Sequence, residues 1–210
     1  MKPNIVIIDY GCGNILSLSK AVEACGAKVV LSNQINTILA ADKVILPGVG
    51  AFGHCISKIK EYGIDETLQI YFSSGKPLLG ICVGMQMLLT NSYEHGEHKG
   101  LDYISGKVVK ISNADNIQFK KIPFVGWAKI NLSTMQNSMI NLSSFDSQWL
   151  YFVHSYVAKP NDQKTVAGSY HYFEEDITAI IEKDNVIGCQ FHPEKSGKTG
   201  LKFLDKFVQF

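Results

Sequence analysis

Three short apolar runs in the first half of the chain each break at a glycine-bearing turn, and this repeat limits the available folds more than any other feature. Ile5-Val6-Ile7-Ile8 runs into Asp9, with Gly11 and Gly13 behind it. Lys43-Val44-Ile45-Leu46 runs into Pro47-Gly48-Val49-Gly50, and Pro77-Leu78-Leu79-Gly80-Ile81 runs into Cys82 and Gly84. Lys28 to Leu31 reads as one more short strand. Between the runs the spacing is helical: a stretch around Val22 and Ala24 that stops at Gly26, residues 54–74 with a break near Gly63, and a buried helix over Val83 to Thr90. Strands alternating with helices predict a parallel sheet with helices on its faces.

From Gly106 onward the helical periodicity fades. Lys107–Ile111, Gln148–Val153, Thr165–Ser169, Ile177–Ile181 and Asn185–Gln190 read as strands, and an amphipathic helix is expected from about Ser196 to Phe210. Asn113–Asn116 and Asn131–Ser147 are polar enough for loops but too short to link domains. The expectation is one domain over residues 1–210, an α/β fold with a mostly parallel central sheet flanked by helices and antiparallel strands added in the second half.

Composition narrows the function. With 46% hydrophobic and 19% charged residues, a chain of 210 residues can bury a full core and is not a disordered one. The formal net charge of +1 leaves no electrostatic footprint for nucleic acid. All 20 basic residues are lysine, so an anion must be held by lysine, backbone N–H groups or helix N-termini, and arginine-finger chemistry is excluded. No run approaches a membrane span, and the apolar stretch after Met1 is too short for a signal peptide. Five cysteines, Cys12, Cys25, Cys55, Cys82 and Cys189, form no C-x-x-C pair, which fits reduced thiols in the cytoplasm.

Most of those thiols read as small core hydrophobes. Cys82 is different, because Gly80-Ile81-Cys82-Val83-Gly84 between a strand and a helix has the form of a nucleophile elbow. The backbone dipole at a helix start favours the ionised thiol, and the Val83 N–H just after it is placed to help bind an oxyanion. A buried structural cysteine in a glycine turn would look the same in isolation. The second element is Phe191-His192-Pro193-Glu194 after the last strand. In an extended conformation His192 and Glu194 share one face, so Glu194 can orient the imidazole and His192 can serve the Cys82 sulfur as base and then acid. A histidine near a glutamate is ordinarily a surface or core pair; together with a cysteine elbow it gains a role. His54-Cys55 and His95-x-x-His98 lack the third ligand that zinc needs, so neither a metal nor another cofactor is expected.

The cysteine elbow and the distal His-Pro-Glu together resemble the class I, or triad, glutamine amidotransferases. The resemblance runs over essentially the whole chain. Asp9-Tyr10-Gly11-Cys12-Gly13-Asn14, Pro47–Gly50, Gly80–Gln86, Lys121-Ile122-Pro123 with Gly126-Trp127, and Tyr151–Tyr156 are similar to the members that serve as glutaminase subunits beside a (β/α)8-barrel cyclase. It implies a flavodoxin-like core and a triad of Cys82, His192 and Glu194 that hydrolyses glutamine through a thioester. It also implies an oxyanion hole from the N–H groups of Val83 and Val49, the latter on a loop that must move and that the partner's ligand promotes. Gln86 would contact glutamine, with Gly50, Ser155 and Tyr156 around its amino-acid end. Asn14, Trp127, Tyr151 and Lys195 match positions at or near the junction with the cyclase, through which ammonia would pass.

Four positions in two segments depart from the histidine-pathway pattern. Phe124, Val125 and Ala128 stand in a stretch that usually reads His, Met and Asn, and Val157 replaces a frequent basic residue. Because these segments are expected to face the cyclase, two partners stay open: the cyclase that makes imidazole glycerol phosphate and AICAR in histidine biosynthesis, or a paralogue that feeds ammonia to a sugar amidotransferase. A non-catalytic interaction subunit would have a broken triad, and here Cys82, His192 and Glu194 are intact.

Overall fold

The computed structural model describes residues 2–112, 120–133 and 138–210. The first half alternates, as expected but for α2: β1 (Asn4–Ile8), α1 (Ile15–Ala24), β2 (Lys28–Ser32), α2 (Ile35–Ala40), β3 (Lys43–Leu46), α3 (Phe52–Glu61), α4 (Ile64–Ser73), β4 (Leu78–Ile81) and α5 (Val83–Met87). Then come β5 (Leu89–Ser92), β6 (His98–Lys99), β7 (Ile104–Lys110), β8 (Phe124–Lys129), β9 (Asn131–Leu132), β10 (Trp149–His154) and β11 (Tyr156–Pro160). The chain closes with β12 (Val166–Tyr172), β13 (Glu175–Lys183), β14 (Val186–Cys189) and α6 (Gly197–Gln209).

An eight-stranded sheet in the order β2-β1-β3-β4-β14-β13-β12-β9 forms the centre. From β2 to β14 every neighbouring pair is parallel, and β13, β12 and β9 continue it antiparallel. Ile5 to Ile8, Val44 to Leu46 and Leu78 to Leu79 are fully buried, as strands covered on both faces require. On α6, Phe203, Leu204, Phe207 and Val208 make the buried stripe. Its last carbonyls find a donor across the fold: the Lys43 Nζ bonds the carbonyls of Phe207, Val208 and Phe210 at 2.8, 2.8 and 3.0 Å.

Several elements differ from the sequence reading. The helix expected over Val83–Thr90 ends at Met87, and Leu89–Ser92 pairs with β7 instead, since a short apolar run has no period that separates helix from strand. α2, β6, β8 and β11 were not anticipated, and β9 with a 3-10 turn at Ser143–Phe145 occupies part of the expected loop Asn131–Ser147. The expected loop Asn113–Asn116, and residues 134–137 of the other, lie outside the described residues.

β8 and β10 pair into an antiparallel ribbon, with Trp127 opposite Tyr151. Its alternation corrects an expectation about the departures. Phe124 turns inward against Tyr170 and Tyr172, with ring centroids 5.2 and 4.7 Å away, and Ala128 is buried. Val157 is buried on β11 opposite Val109. Of the four, only Val125 faces outward, beside exposed Trp127.

Candidate active site

Three adjacent parallel strands deliver the chemistry. β3 leads into Pro47–Gly50, β4 into Cys82 and β14 into Gln190–His192, so the three turns meet at the carboxyl ends of neighbouring strands, where ligands of α/β sheets bind. The Cys82 N–H donates to the Cys189 carbonyl at 2.8 Å and continues the β4–β14 ladder into the turn. Cys82 itself adopts φ 55° and ψ −113°, a conformation disfavoured for a residue with a side chain. Tight packing holds it there: a Cβ on Gly84 would run into the Leu46 carbonyl oxygen, and one on Gly80 would lie 2.8 Å from the Gly84 carbonyl oxygen.

A pocket of about 210 Å³ opens over the sulfur, lined among others by Val49, Gly50, Gln86, Ser155, Tyr156 and His192. Nearly all the expected site residues converge here. His192 is buried, and its Nδ1 lies 3.0 Å from Glu194 Oε1. The pair forms differently from the extended geometry expected. His192 is extended (φ −98°, ψ 99°), but Pro193–Lys195 make a 3-10 turn that curls Glu194 back under the ring. Its Nε2 makes no well-formed hydrogen bond and faces the pocket beside Cys82. Burial alone would lower the imidazole pKa, but the neighbouring Cys82 sulfur and the Glu194 carboxylate outweigh it and push the pKa up to about 9.

The oxyanion groups are not assembled. The Val83 N–H donates to the Gly48 carbonyl at 3.3 Å, so the donor expected to meet an oxyanion is occupied. That carbonyl belongs to the Gly48–Val49 peptide, whose N–H therefore points the opposite way. Gly48 packs so closely that a Cβ would lie 2.7 Å from the Gly84 nitrogen, whereas Val49 and Gly50 are exposed.

On the far wall, the Tyr156 carbonyl accepts from Gln86 Nε2 at 3.1 Å and from His154 Nδ1 at 2.8 Å. His154 Nε2 lies 2.9 Å from the Tyr170 hydroxyl. Burial, offset in part by the Tyr156 carbonyl, holds the pKa of His154 down at about 4, so it is a neutral structural histidine. The Ser155 carbonyl accepts from the Ile111 N–H at 2.9 Å. The carbonyls of Ser155 and Tyr156 are thus already used within the fold.

Two residues, one lining the pocket and one buried behind Cys82, escaped the sequence reading. Glu94, in a polar loop, accepts from the Phe52 N–H at the start of α3 at 2.6 Å and lines the pocket. Gln190 is completely buried beside Cys82. An acid in a loop and a glutamine just after an apolar strand carry no local signal; pairing Gln190 with His192, two residues on, would have pointed to the second.

The expected partner residues surround the other side of the catalytic turn. Asn14 shares a narrow crevice with Pro47, Val49, His192 and Glu194, and Lys195 is exposed next to it. The Tyr151 carbonyl accepts the His192 N–H at 2.9 Å, and the Tyr151 ring meets Trp127 edge-on at 5.9 Å.

The model for the family "Glutamine amidotransferase class-I" matches residues 6–209. The chain is 42% identical over 204 residues to the imidazole glycerol phosphate synthase subunit HisH of Prochlorococcus marinus, covering 97% of each chain. It is likewise 42% identical to the HisH subunits of Aquifex aeolicus, over 96% of this chain and 94% of that one, and of Lactococcus lactis, over 98% of each. Among solved structures, a glutamine amidotransferase superposes with a TM-score of 0.71 at 16% identity, over 98% of this chain and 99% of that one. PurLQS from Thermotoga maritima superposes with 0.73 at 19%, over 100% and 99%. At such identities these two likenesses speak for the fold.

Proposed function

This chain belongs to the class-I glutamine amidotransferases and to their HisH branch, and on that premise we propose how its residues release ammonia from glutamine as the glutaminase subunit of imidazole glycerol phosphate synthase. The observation that carries the reading is a cysteine on a strained elbow, sharing one pocket with a histidine that a buried glutamate orients.

Cys82 Sγ attacks the side-chain amide carbon of glutamine, and the amide oxygen takes the negative charge of the tetrahedral intermediate. His192, protonated at neutral pH by virtue of its raised pKa, gives its Nε2 proton to the departing nitrogen. Ammonia leaves and a glutamyl thioester remains. Water then attacks the thioester carbon, His192 takes the water's proton, and glutamate departs as the sulfur is restored. Glu194 fixes the ring and stabilises the imidazolium.

The oxyanion hole needs one rearrangement. Rotating the Gly48–Val49 peptide breaks the bond from Val83 to the Gly48 carbonyl and turns the Val49 N–H toward the pocket in the same motion, so two donors become available at once. The resting loop is an off state. Around the amino-acid end, Gln86 and the Gly50, Ser155 and Tyr156 segments make up the wall, and the Glu94 carboxylate suits an α-ammonium group.

Released ammonia must stay unprotonated to act as a nucleophile, so it must reach its acceptor through a dry path to a docked partner. A (β/α)8-barrel cyclase seated over Asn14, Trp127, Tyr151 and Lys195 would cover the crevice beside His192. The inward packing of Phe124, Ala128 and Val157 removes most of the reason to expect a different partner. The test mixes the chain with the histidine-pathway cyclase of the same organism, its ribonucleotide substrate and glutamine, with Cys82→Ala as control. Imidazole glycerol phosphate forms with the parent chain and not with the control. A cyclase that works with free ammonia but not with this chain and glutamine would refute the pairing and turn attention to a sugar-modifying partner.

A further inference from the structure

A line of buried amides runs from the substrate wall to the nucleophile. Gln86 Nε2 donates to the Tyr156 carbonyl at 3.1 Å and to Gln190 Oε1 at 2.9 Å, and Gln190 Nε2 lies 3.7 Å from Cys82 Sγ. Gln86 is nearly buried and Gln190 fully so. The direction of the line follows from one group that cannot be reversed. A backbone carbonyl only accepts, so the Gln86 amide must turn its NH₂ toward Tyr156. The same NH₂ then reaches Gln190 and demands an oxygen there. Gln190 is left with its NH₂ toward the sulfur.

We propose that Gln190 is a positioning residue for the reaction, presenting a fixed N–H donor to the Cys82 sulfur and steadying it as a thiolate on the side away from His192. This rests on the reading of Cys82 as the nucleophile. A methionine would fill the same volume without the cost of burying an amide, so a glutamine in this place carries a desolvation penalty that its hydrogen bonds must offset. Its orientation is locked from the pocket side, which ties the sulfur to the wall that receives glutamine. Other titratable groups also lie near the sulfur: Tyr10 from the turn after β1, Cys55 from α3, Cys189 from β14, and His192. None of them donates an N–H whose direction is set by the substrate wall.

The test measures alkylation of Cys82 by iodoacetamide, read by mass spectrometry of the Cys82 peptide, in the full chain with Gln190→Met and Gln190→Glu. Loss of the donor slows alkylation by about tenfold at pH 7, the size expected for a hydrogen bond to a charged group. The deficit closes at pH 9.5, which a packing defect would not do. Gln190→Glu, with the same shape but an acceptor and a charge toward the sulfur, is slower still. Turnover falls through kcat with KM within about twofold. A folded Gln190→Met chain that alkylates at the parent rate overturns the proposal. If that variant does not fold, Gln86→Met, which unlocks the Gln190 amide from a distance, decides: slowing by about threefold supports the proposal and the parent rate overturns it. Turnover surviving Cys82→Ala would instead overturn the reading of the nucleophile, a separate outcome.

Discussion

Replacing Val49 with glycine should switch on the isolated chain. Rotation of the Gly48–Val49 peptide changes two torsions, the ψ of Gly48 and the φ of Val49. Val49 is not among the residues with positive φ at rest, so the rotation carries it into the left-handed half of the map. A residue with a Cβ pays roughly 1–2 kcal/mol there, and a β-branched one pays toward the upper end. Glycine pays almost nothing. The 3.3 Å bond from Val83 to the Gly48 carbonyl is lost in both chains and cancels. The Val49 side chain is 40% exposed, so little packing goes with it. The assembled hole therefore gains roughly 1–2 kcal/mol in Val49→Gly, which raises its population about 5- to 30-fold while it stays the minor state. Glutamate release without a partner, measured at saturating glutamine, rises by that factor. Stimulation by the partner shrinks by the same factor, because the fully assembled state is unchanged. An unaltered or lower basal rate in a variant of unchanged Tm would refute the peptide rotation as the gate.

Other consequences follow from the same geometry. His192 is held protonated up to about pH 9 from an ordinary 6.5, so kcat/KM should fall on an alkaline limb near pH 9. The same raised pKa adds stability that is fully present below about pH 6.5 and is lost as the pH passes about 9. In Glu194→Gln the limb moves to lower pH and the rate drops at least about tenfold; a limb that stays in place would separate Glu194 from the titration. Lys195→Ala should weaken binding of the cyclase roughly tenfold while basal glutamine hydrolysis stays within about twofold, since the lysine is exposed beside the triad and not in it. Equal losses in both assays would place Lys195 in the chemistry instead. Gly84→Ala sets a Cβ against the Leu46 carbonyl and should cost about 3 kcal/mol or more, a fall in Tm of roughly 6–12 °C by thermal melt. An unchanged Tm would mean the elbow is loosely packed.

What could be read from residues alone was what local chemistry dictates. The glycines of the elbow and the apolar runs of β1, β3 and β4 have short-range causes, whereas the strand order that brings Cys82 and His192 together does not. The strand β8 was not legible because Phe-Val-Gly-Trp-Ala-Lys alternates between an aromatic core and an exposed apolar face, which hides its period. For the same reason Phe124 and Ala128 looked like docking residues until the pleat showed them facing in. Pro193 suggested an extended segment, yet its fixed φ is equally compatible with the first position of the 3-10 turn it begins. The capture of the Val83 N–H by Gly48 depends on the orientation of a single peptide plane, and no side chain encodes that directly.

The bond from the His192 N–H to the Tyr151 carbonyl joins the catalytic turn to the ribbon that carries Trp127. Any force a partner exerts on that ribbon is one hydrogen bond from His192, the residue proposed to protonate the leaving group. Thermodynamic linkage makes such a connection two-way: the factor by which a docked partner tightens glutamine is the factor by which glutamine tightens the partner. Where that factor exceeds one, an assembly joined like this would be held most firmly while it has nitrogen to deliver, and would loosen when glutamine runs out.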